Sequence, residues 1–224
     1  MSTLSAIILA RSSDEILPET LASVAFCDEQ IILTDPALVN FAAQRNRGLE
    51  RVKGGWVLFV DSDEVVSPAL ATEIKRAIKD NDCRGYYLKR DDYFAGKKLH
   101  FGETTSVRLL RLAHKNAGTW HGKVHEIWKI SGRIGQMTQP LIHYPHPTIQ
   151  NFIEHINQYT TIRAAEVKNF SLFEVLVYPP AKFFQNFVLR LGFLDGLAGF
   201  VMAYMMSLHS LIVRIKTYDL SQAS

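Results

Sequence analysis

The chain has 224 residues, of which 47% are hydrophobic and 21% charged, and its formal net charge is +3. This balance is typical of a folded globular protein and excludes an extensively disordered chain. The small positive charge does not indicate nucleic-acid binding, and we expect none. Cys27 and Cys83 are too few and too far apart for a disulfide framework, so we expect buried thiols in a reducing compartment.

The first part of the chain alternates strand-like and helix-like patterns. Residues 6–10 predict a strand, and no basic residues precede them, so we expect no secretory leader and a cytoplasmic protein. A second strand over 30–35 ends in an acid, and a helix over 41–52 and a strand over 56–60 follow. This alternation predicts an α/β protein with parallel strands joined by crossover helices.

Three acids follow the strand 56–60 directly: Asp61, Asp63 and Glu64. Acids at the end of a strand lie at the edge of a sheet, where α/β proteins bind ligands. The single residue between Asp61 and Asp63 suits two carboxylates on one Mg²⁺ or Mn²⁺, a cation that also binds substrate phosphate oxygens. The pattern therefore predicts a metal–diphosphate site. The alternative is an Asp-rich turn before a helix, and for Glu64 we favour a structural role as a helix-side cap.

The C-terminal part is helical and unusually apolar. A helix is predicted over 148–168, and an apolar segment over 173–213 is interrupted by two prolines. Residues 193–213 contain Asp195 as their only full charge and are long enough to span a bilayer. Of the three alternatives for this segment, we rank an interfacial helix first, a helix in the core or in a dimer second, and a membrane-spanning helix third. We therefore expect a domain over 1–147 and a membrane-associated helical region over 148–224. Four basic residues flank residues 193–213 and could meet anionic headgroups: Lys182, Arg190, Arg214 and Lys216.

Four segments carry a family resemblance: FAAQRNRGLE (41–50), GGWVLFVDSDEVVSPAL (54–70), HGKVHE (121–126) and GFLDGLAGF (192–200). They resemble the family 2 glycosyltransferases, and most closely the bacterial subgroup that adds sugars to lipopolysaccharide core. The resemblance implies a GT-A-like (Rossmann-like), mostly parallel sheet with flanking helices, followed by the apolar helical region. It implies inverting, metal-dependent transfer of a hexose from a nucleotide sugar, expected to be UDP-linked, to a lipid-linked saccharide. The protein would be peripheral on the cytoplasmic face of the inner membrane, and a homodimer is left open.

The resemblance also assigns roles to residues on the donor side. Asp63 is expected to bind Mg²⁺ or Mn²⁺, and Asp61 to contact the metal, a metal-bound water or the ribose. Asp35 follows the second strand, where the family places an acid near the nucleotide base and ribose. Arg45 would reach the nucleotide or a phosphate, because guanidinium groups suit phosphate oxygens. The alternative for Arg45 is a solvated charge on the helix face.

Glu126 is the expected general base, which would remove the proton of the acceptor hydroxyl. The alternative is a structural ion pair with His125 or a neighbouring lysine. His125 and His143 carry nitrogen donors that could complete a metal shell, and we include His143 among the expected ligands. A hydrogen-bonding role is the alternative for each histidine.

The sequence departs from the family pattern after Asp35. The family usually continues through a Ser/Thr/Asp loop, a helix and a third strand, whereas here the chain leads almost directly into the helix that begins near Phe41. The missing loop normally helps to hold the nucleotide. A non-catalytic relative that binds glycan or a partner enzyme at the membrane is therefore the first alternative. A metal-dependent phosphohydrolase that uses the same acids is the second.

Overall fold

The structure is a computed structural model that describes residues 3–10, 12, 18–35, 40–80, 82–103, 107–122, 126–145, 148–167 and 170–222. The chain divides into two compact units. The sheet unit comprises Met1–Asp91 and Ser106–His143, and the helical unit comprises Asp92–Thr105 and Tyr144–Ser224. The division predicted at residues 147/148 differs from this one, because residues 92–105 belong with the C-terminal helices.

The elements follow one another in the order strand, helix, strand that the first part of the sequence predicts. In chain order they are β1 (Leu4–Ala10), α1 (Pro18–Ser23), β2 (Glu29–Thr34), α2 (Phe41–Arg51), β3 (Trp56–Asp61), β4 (Glu64–Val66), α3 (Pro68–Asp80), β5 (Gly85–Phe94), β6 (Lys97–Lys98), β7 (Arg108–His114), β8 (Gly118–His121), β9 (Ile127–Ile130), β10 (Ile134–Gln136), β11 (Leu141–His143), α4 (Ile149–Glu166), α5 (Leu172–Phe184) and α6 (Leu197–Gln222). A π-helical turn, Gln185–Leu189, and a 3₁₀ turn, Gly192–Asp195, connect α5 to α6.

The main sheet is mixed, whereas the sequence predicted a mostly parallel one. Its strand order is β2-β1-β3-β7-β5-β11-β4. β1 pairs in parallel with β2 and β3. β7 pairs antiparallel with both β3 and β5, and β4 pairs antiparallel with β11. The parallel part, β1 to β3, therefore matches the crossover helices predicted from the sequence, and the antiparallel pairs each include a strand from residues 85–143.

Both faces of the central strands are covered, which explains their uninterrupted apolar sequences. Successive residues of β1 point to opposite faces. Ile8 belongs to the hydrophobic cluster that includes α3, whereas Ile7 belongs to the cluster that includes α2 and the tryptophans of β8 and β9. Helix α2 approaches the sheet closely at Gly48, where a Cβ atom would lie 2.9 Å from Leu33 Cδ1.

In the helical unit, α5 continues through Pro179 and Pro180 and ends at Phe184. The prediction that these prolines interrupt the apolar segment is therefore wrong for α5, and the interruption lies in the two turns after it. Helix α6 begins at Leu197, four residues later than the predicted apolar helix, and reaches Gln222. Among the described residues, α6 is the one helix long and apolar enough to cross a bilayer by length and composition.

Candidate active site

The acids after β3 lie in a turn that buried polar contacts hold in shape. Asp61 is the last residue of β3, and Glu64 begins β4. The backbone N–H of Asp61 donates to Glu64 Oε2 (3.0 Å), and Thr20 Oγ1 donates to the carbonyl oxygen of Ser62 (3.1 Å). Glu64 is 0% exposed. Its role is structural, as predicted, but it braces the turn and does not cap a helix; Ser67 caps α3 instead.

Two buried arginines hold the carboxylate of Asp61. Arg45 of α2 is 1% exposed and donates from Nη2 to Asp61 Oδ1 (2.8 Å). Arg111 of β7 donates from Nη2 to Asp61 Oδ2. Burial alone would raise the pKa of Asp61, but the charges of Arg111 and Arg45 outweigh it and hold that pKa well below its usual range. Asp61 therefore stays ionised, with both carboxylate oxygens engaged.

Arg45 also reaches the expected base. Its Nε donates to Glu126 Oε1 across 3.0 Å. Its guanidinium carbon lies 4.7 Å from the ring centroid of Trp120 and 5.4 Å from that of Phe59, so aromatic faces fix its position. The alternative of a solvated helix-face charge for Arg45 is wrong. Glu126 thus forms an ion pair with Arg45, a partner that the sequence did not predict; His125 and the lysine at 123 lie outside the described residues.

Carboxylates surround the two buried arginines, Arg45 and Arg111. Burial, followed by the charge of Asp61, raises the pKa of Glu64. Burial would lower the pKa of Arg111, but the charges of Asp61, Glu64 and Glu126 raise it above its usual value. Direct contacts pair Arg45 with Asp61 and Glu126, and Arg111 with Asp61.

Asp63 and His143 form the pair best placed to hold a divalent cation. His143 ends β11 and stands opposite Glu64 in the antiparallel register with β4. Its Nε2 lies 3.4 Å from Asp63 Oδ2. The described residues contain no group of three or more His, Cys, Asp or Glu side chains arranged around a metal. A carboxylate completed by substrate phosphates fits Mg²⁺ or Mn²⁺, and the imidazole of His143 would add a nitrogen donor, whereas Asp61 could bind a metal directly only by giving up an arginine.

Asp35 lies at the same edge of the sheet as the acid turn. In the register of β1, Ala10 aligns with Thr34 of β2 and Leu9 aligns with Asp61 of β3. Asp35, which follows Thr34, and Asp61 therefore lie at the same edge of the sheet, on the two strands that flank β1. The backbone N–H of Asp35 donates to the carbonyl oxygen of Ala10 (3.2 Å). The shortened loop over 36–39 lies outside the described residues.

The sequence matches the model of the family described as Glycosyl transferase family 2 over residues 7–128, which is more than half of the chain. The chain belongs to glycosyl transferase family 2. The predicted GT-A-like α/β fold is confirmed, with a mixed sheet. The match does not extend to the lipopolysaccharide-core subgroup, which stays a prediction.

Solved structures similar to this family 2 glycosyltransferase include S. aureus TarS residues 1–349, with a TM-score of 0.44 and 12% sequence identity. The same protein in complex with UDP-GlcNAc matches with a TM-score of 0.45 and 10% identity. Each match covers 99% of this chain and 92% of the TarS chain.

Two parts of the cluster around Arg45 and Asp61 were not predicted from the sequence. Arg111 is a lone charge inside the apolar run of β7, and that interruption was the available signal. Asn46 holds Trp120 from both sides, since its Oδ1 accepts from Trp120 N (2.9 Å) and its Nδ2 donates to Trp120 O (3.0 Å). Arg45 therefore contacts Glu126, and Asn46 holds Trp120, whose ring lies against the guanidinium of Arg45.

Proposed function

We propose that this family 2 member is an inverting, metal-dependent glycosyltransferase that moves a hexose from UDP-hexose to a lipid-linked saccharide such as lipopolysaccharide core. The observation that carries the proposal is the cluster of Asp61, Arg45 and Glu126 beside the Asp63–His143 pair. An acid that could serve as base, and a pair that could hold a cation, thus occur in one unit of a glycosyltransferase fold.

In such a transfer, the acceptor hydroxyl attacks the anomeric carbon while the nucleoside diphosphate departs from the opposite face. Glu126 would accept the hydroxyl proton at a carboxylate oxygen, oriented by the Arg45 Nε contact. Asp63 and His143 would hold Mg²⁺ or Mn²⁺, which when bound neutralises charge on the leaving diphosphate. Asp35 would contact the nucleoside.

The distribution of charge supports a cation at Asp63 rather than at Asp61. Arg45 contacts Asp61 and Glu126 directly, and Arg111 contacts Asp61. In the described part of the chain, no arginine or lysine forms an ion pair with Asp63; its near neighbour is His143. A divalent cation would therefore find its uncompensated carboxylate there.

The lipid-linked acceptor is proposed from the helical unit. Most of the large apolar side chains that remain exposed belong to this unit, and soluble monomers rarely expose apolar patches of large extent. We propose a peripheral location on the cytoplasmic face of the inner membrane. The contacts of α6 inside its own unit favour this over a membrane span: Ser207 Oγ donates to Pro179 O, and Arg214 lies 3.3 Å from Glu174.

A non-catalytic relative is the second candidate, because only six residues separate Thr34 at the end of β2 from Phe41 at the start of α2. Calorimetric titration with UDP and with GDP, each with and without Mn²⁺, separates the two. We expect UDP to bind in a Mn²⁺-dependent manner, Asp63→Ala to lose this binding, and Asp82→Ala, which removes an exposed acid elsewhere, to retain it. Binding of neither nucleotide would favour the non-catalytic candidate.

Product analysis then tests the chemistry. With UDP-hexose and lipopolysaccharide core saccharide, we expect sugar transfer with inversion at the anomeric carbon. Phosphate release from the nucleotide sugar in the absence of acceptor would instead indicate a phosphohydrolase. Mn²⁺-dependent UDP binding without transfer to any lipid-linked saccharide would leave the donor part of the proposal standing and reject the acceptor part.

A further inference from the structure

Helix α5 exposes one continuous apolar face. Its residues advance by about 100° each around the helix axis, and by that geometry six exposed apolar ones fall within an arc of about 140°, with Tyr178 and Ala181 exposed outside it. This face, the apolar strip, consists of Leu172, Phe173, Leu176, Val177, Pro180 and Phe184. Outside the strip, α5 contacts α6 through Glu174 and the ring of Tyr178 to Arg214, and through the Pro179 carbonyl to Ser207. The strip is thus the outward face of a helix whose contacts with α6 lie outside it.

The turns after α5 extend this surface. The apolar tip consists of Val188, Leu189, Leu191, Phe193, Leu194 and Leu197, all exposed. Leu189 is 67% exposed and Leu197 78%. Leu191 has φ = 58°, in the left-handed region that bulky side chains disfavour, and yet its side chain is 44% exposed. The backbone therefore holds a strained conformation that presents an apolar side chain outward.

Charge is almost absent from this surface. Between residues 172 and 204, which the structure describes throughout, Arg190 is the one exposed residue with a charge. The basic residues expected to meet headgroups are engaged inside the unit. Lys182 and Arg190 lie 2.5 Å and 3.5 Å from Glu103 Oε2, and Lys216 donates to Asn157. Electrostatic attraction to anionic lipid is therefore a minor contribution.

The occupant that fits this surface is a lipid leaflet. A protein–protein interface places hydrogen-bonding groups around its apolar core, about one hydrogen bond per 100–200 Å². The strip and the tip offer few polar side chains for such a rim, with Gln185 and Arg190 the exposed polar residues between them. Aromatic rings within an apolar face are typical of helices that lie at the membrane interface.

We propose that the apolar strip and the apolar tip insert into one leaflet of a bilayer, with α5 lying along the membrane surface and α6 supporting it without crossing. The inference rests on the lipid-linked acceptor of the proposed function and names the surface that meets the membrane. It places the membrane contact on α5, the turns after it and the first residue of α6, so that only Phe193, Leu194 and Leu197 of the predicted segment 193–213 take part. Insertion driven by apolar burial should depend little on anionic lipid or on salt.

Sedimentation of the full chain with vesicles tests this assignment. Vesicles of phosphatidylcholine are compared with vesicles that also contain phosphatidylglycerol, at low and high salt. The strip variant is Leu172→Ser/Phe173→Ser/Leu176→Ser, and the tip variant is Leu189→Ser/Leu194→Ser/Leu197→Ser. The control, Ile149→Ser/Ile153→Ser/Ile215→Ser, removes three exposed apolar side chains from α4 and α6. UDP binding by every variant checks that the sheet unit is folded, and thermal melting followed by circular dichroism checks the helices.

We expect the full chain to bind both vesicle types, with the strip and tip variants at least about tenfold weaker, as the lost burial of several side chains requires. The control should bind like the parent. A Phe193→Trp reporter gives the depth, because the native tryptophans are buried in the sheet unit. Lipids brominated near the headgroup should quench it more than lipids brominated at the chain ends, and alkaline carbonate should extract the protein.

Several results would overturn the proposal. Full resistance to carbonate would indicate that α6 spans the bilayer, and binding lost in high salt would indicate an electrostatic contact. A full chain that never sediments, but forms a dimer that the strip variant abolishes in light scattering, would show that a second copy covers this surface. Vesicle binding with no sugar transfer would leave this inference standing while the proposed function failed, so the two can be told apart.

Discussion

Arg45 donates from Nε to Glu126 Oε1 across 3.0 Å, although the two residues are 81 positions apart in the chain. The same guanidinium donates from Nη2 to Asp61. One side chain of α2 therefore joins the strand-end acid to the expected base, and both carboxylates depend on it for their orientation. Contacting two separate carboxylates in fixed directions needs the planar fork of arginine, which lysine does not supply.

We expect Arg45→Met to lower the free energy of unfolding by about 3–5 kcal/mol, the usual effect of removing one partner of a buried ion pair. Arg45→Lys should restore part of this stability but little activity, because one ammonium group cannot bind both acids in the same geometry. Urea unfolding and initial rates measure the two effects. Arg47→Met, an exposed arginine on the same helix, is the control, and an Arg45→Met protein as stable as this control would contradict the structural role.

Glu126→Gln should retain UDP binding and lose transfer by roughly 10²–10⁴-fold, the contribution of a general base. Glutamine still offers Oε1 to Arg45 Nε, so the local structure should persist. Calorimetry measures UDP binding, and kcat with a lipid-linked acceptor measures the chemistry. Glu50→Gln, which changes an exposed acid of α2, should leave kcat unchanged. Normal turnover by Glu126→Gln would place the base elsewhere.

The sequence predicts the part of the site that is local in the chain. Asp61 and Asp63 come at the end of an apolar run, and this position alone predicts that they lie at the edge of the sheet. Arg111 could not be placed in the same way, because its position depends on the antiparallel pairing of β7 with β3. That pairing is set by contacts distant in sequence, so the charge that interrupts residues 108–114 marks Arg111 as unusual without showing which acid it contacts.

The helical unit shows a second limit of sequence patterns. Proline interrupts helices in general, since it lacks the N–H that bonds to residue i−4, and this predicted a break at Pro179 and Pro180. The helix nevertheless continues to Phe184. Because α6 packs against this helix, through Ser207 to the Pro179 carbonyl among other contacts, tertiary contacts stabilise a segment that local propensity disfavours.

We expect the stability of the protein to fall as the pH drops below the ordinary histidine pKa of 6.5 because of His114. Burial, followed by the charge of Arg84, lowers the pKa of His114 in the folded protein. Between the folded and unfolded pKa values the unfolded chain binds more protons, so stability is present above the unfolded value and is lost as the pH falls through the folded one. Urea midpoints across this range measure the effect.

His114→Phe should flatten this dependence while keeping a ring against Trp56, whose centroid lies 4.7 Å from that of His114. An unchanged slope in the His114→Phe protein would assign the dependence to other groups.

Cys27 should react slowly with iodoacetamide in the folded protein at neutral and mildly alkaline pH. Burial, followed by the charge of Asp28, raises the pKa of its thiol to about 12, and the thiolate is the form that attacks. At pH 8 the folded protein therefore holds far less thiolate than an unfolded chain, in which the pKa returns to about 8.5. Mass spectrometry of alkylated peptides, compared before and after unfolding in urea, distinguishes Cys27 from the buried Cys83. Equal alkylation rates at Cys27 in the folded and unfolded proteins would show that its thiol is not shielded as the structure indicates.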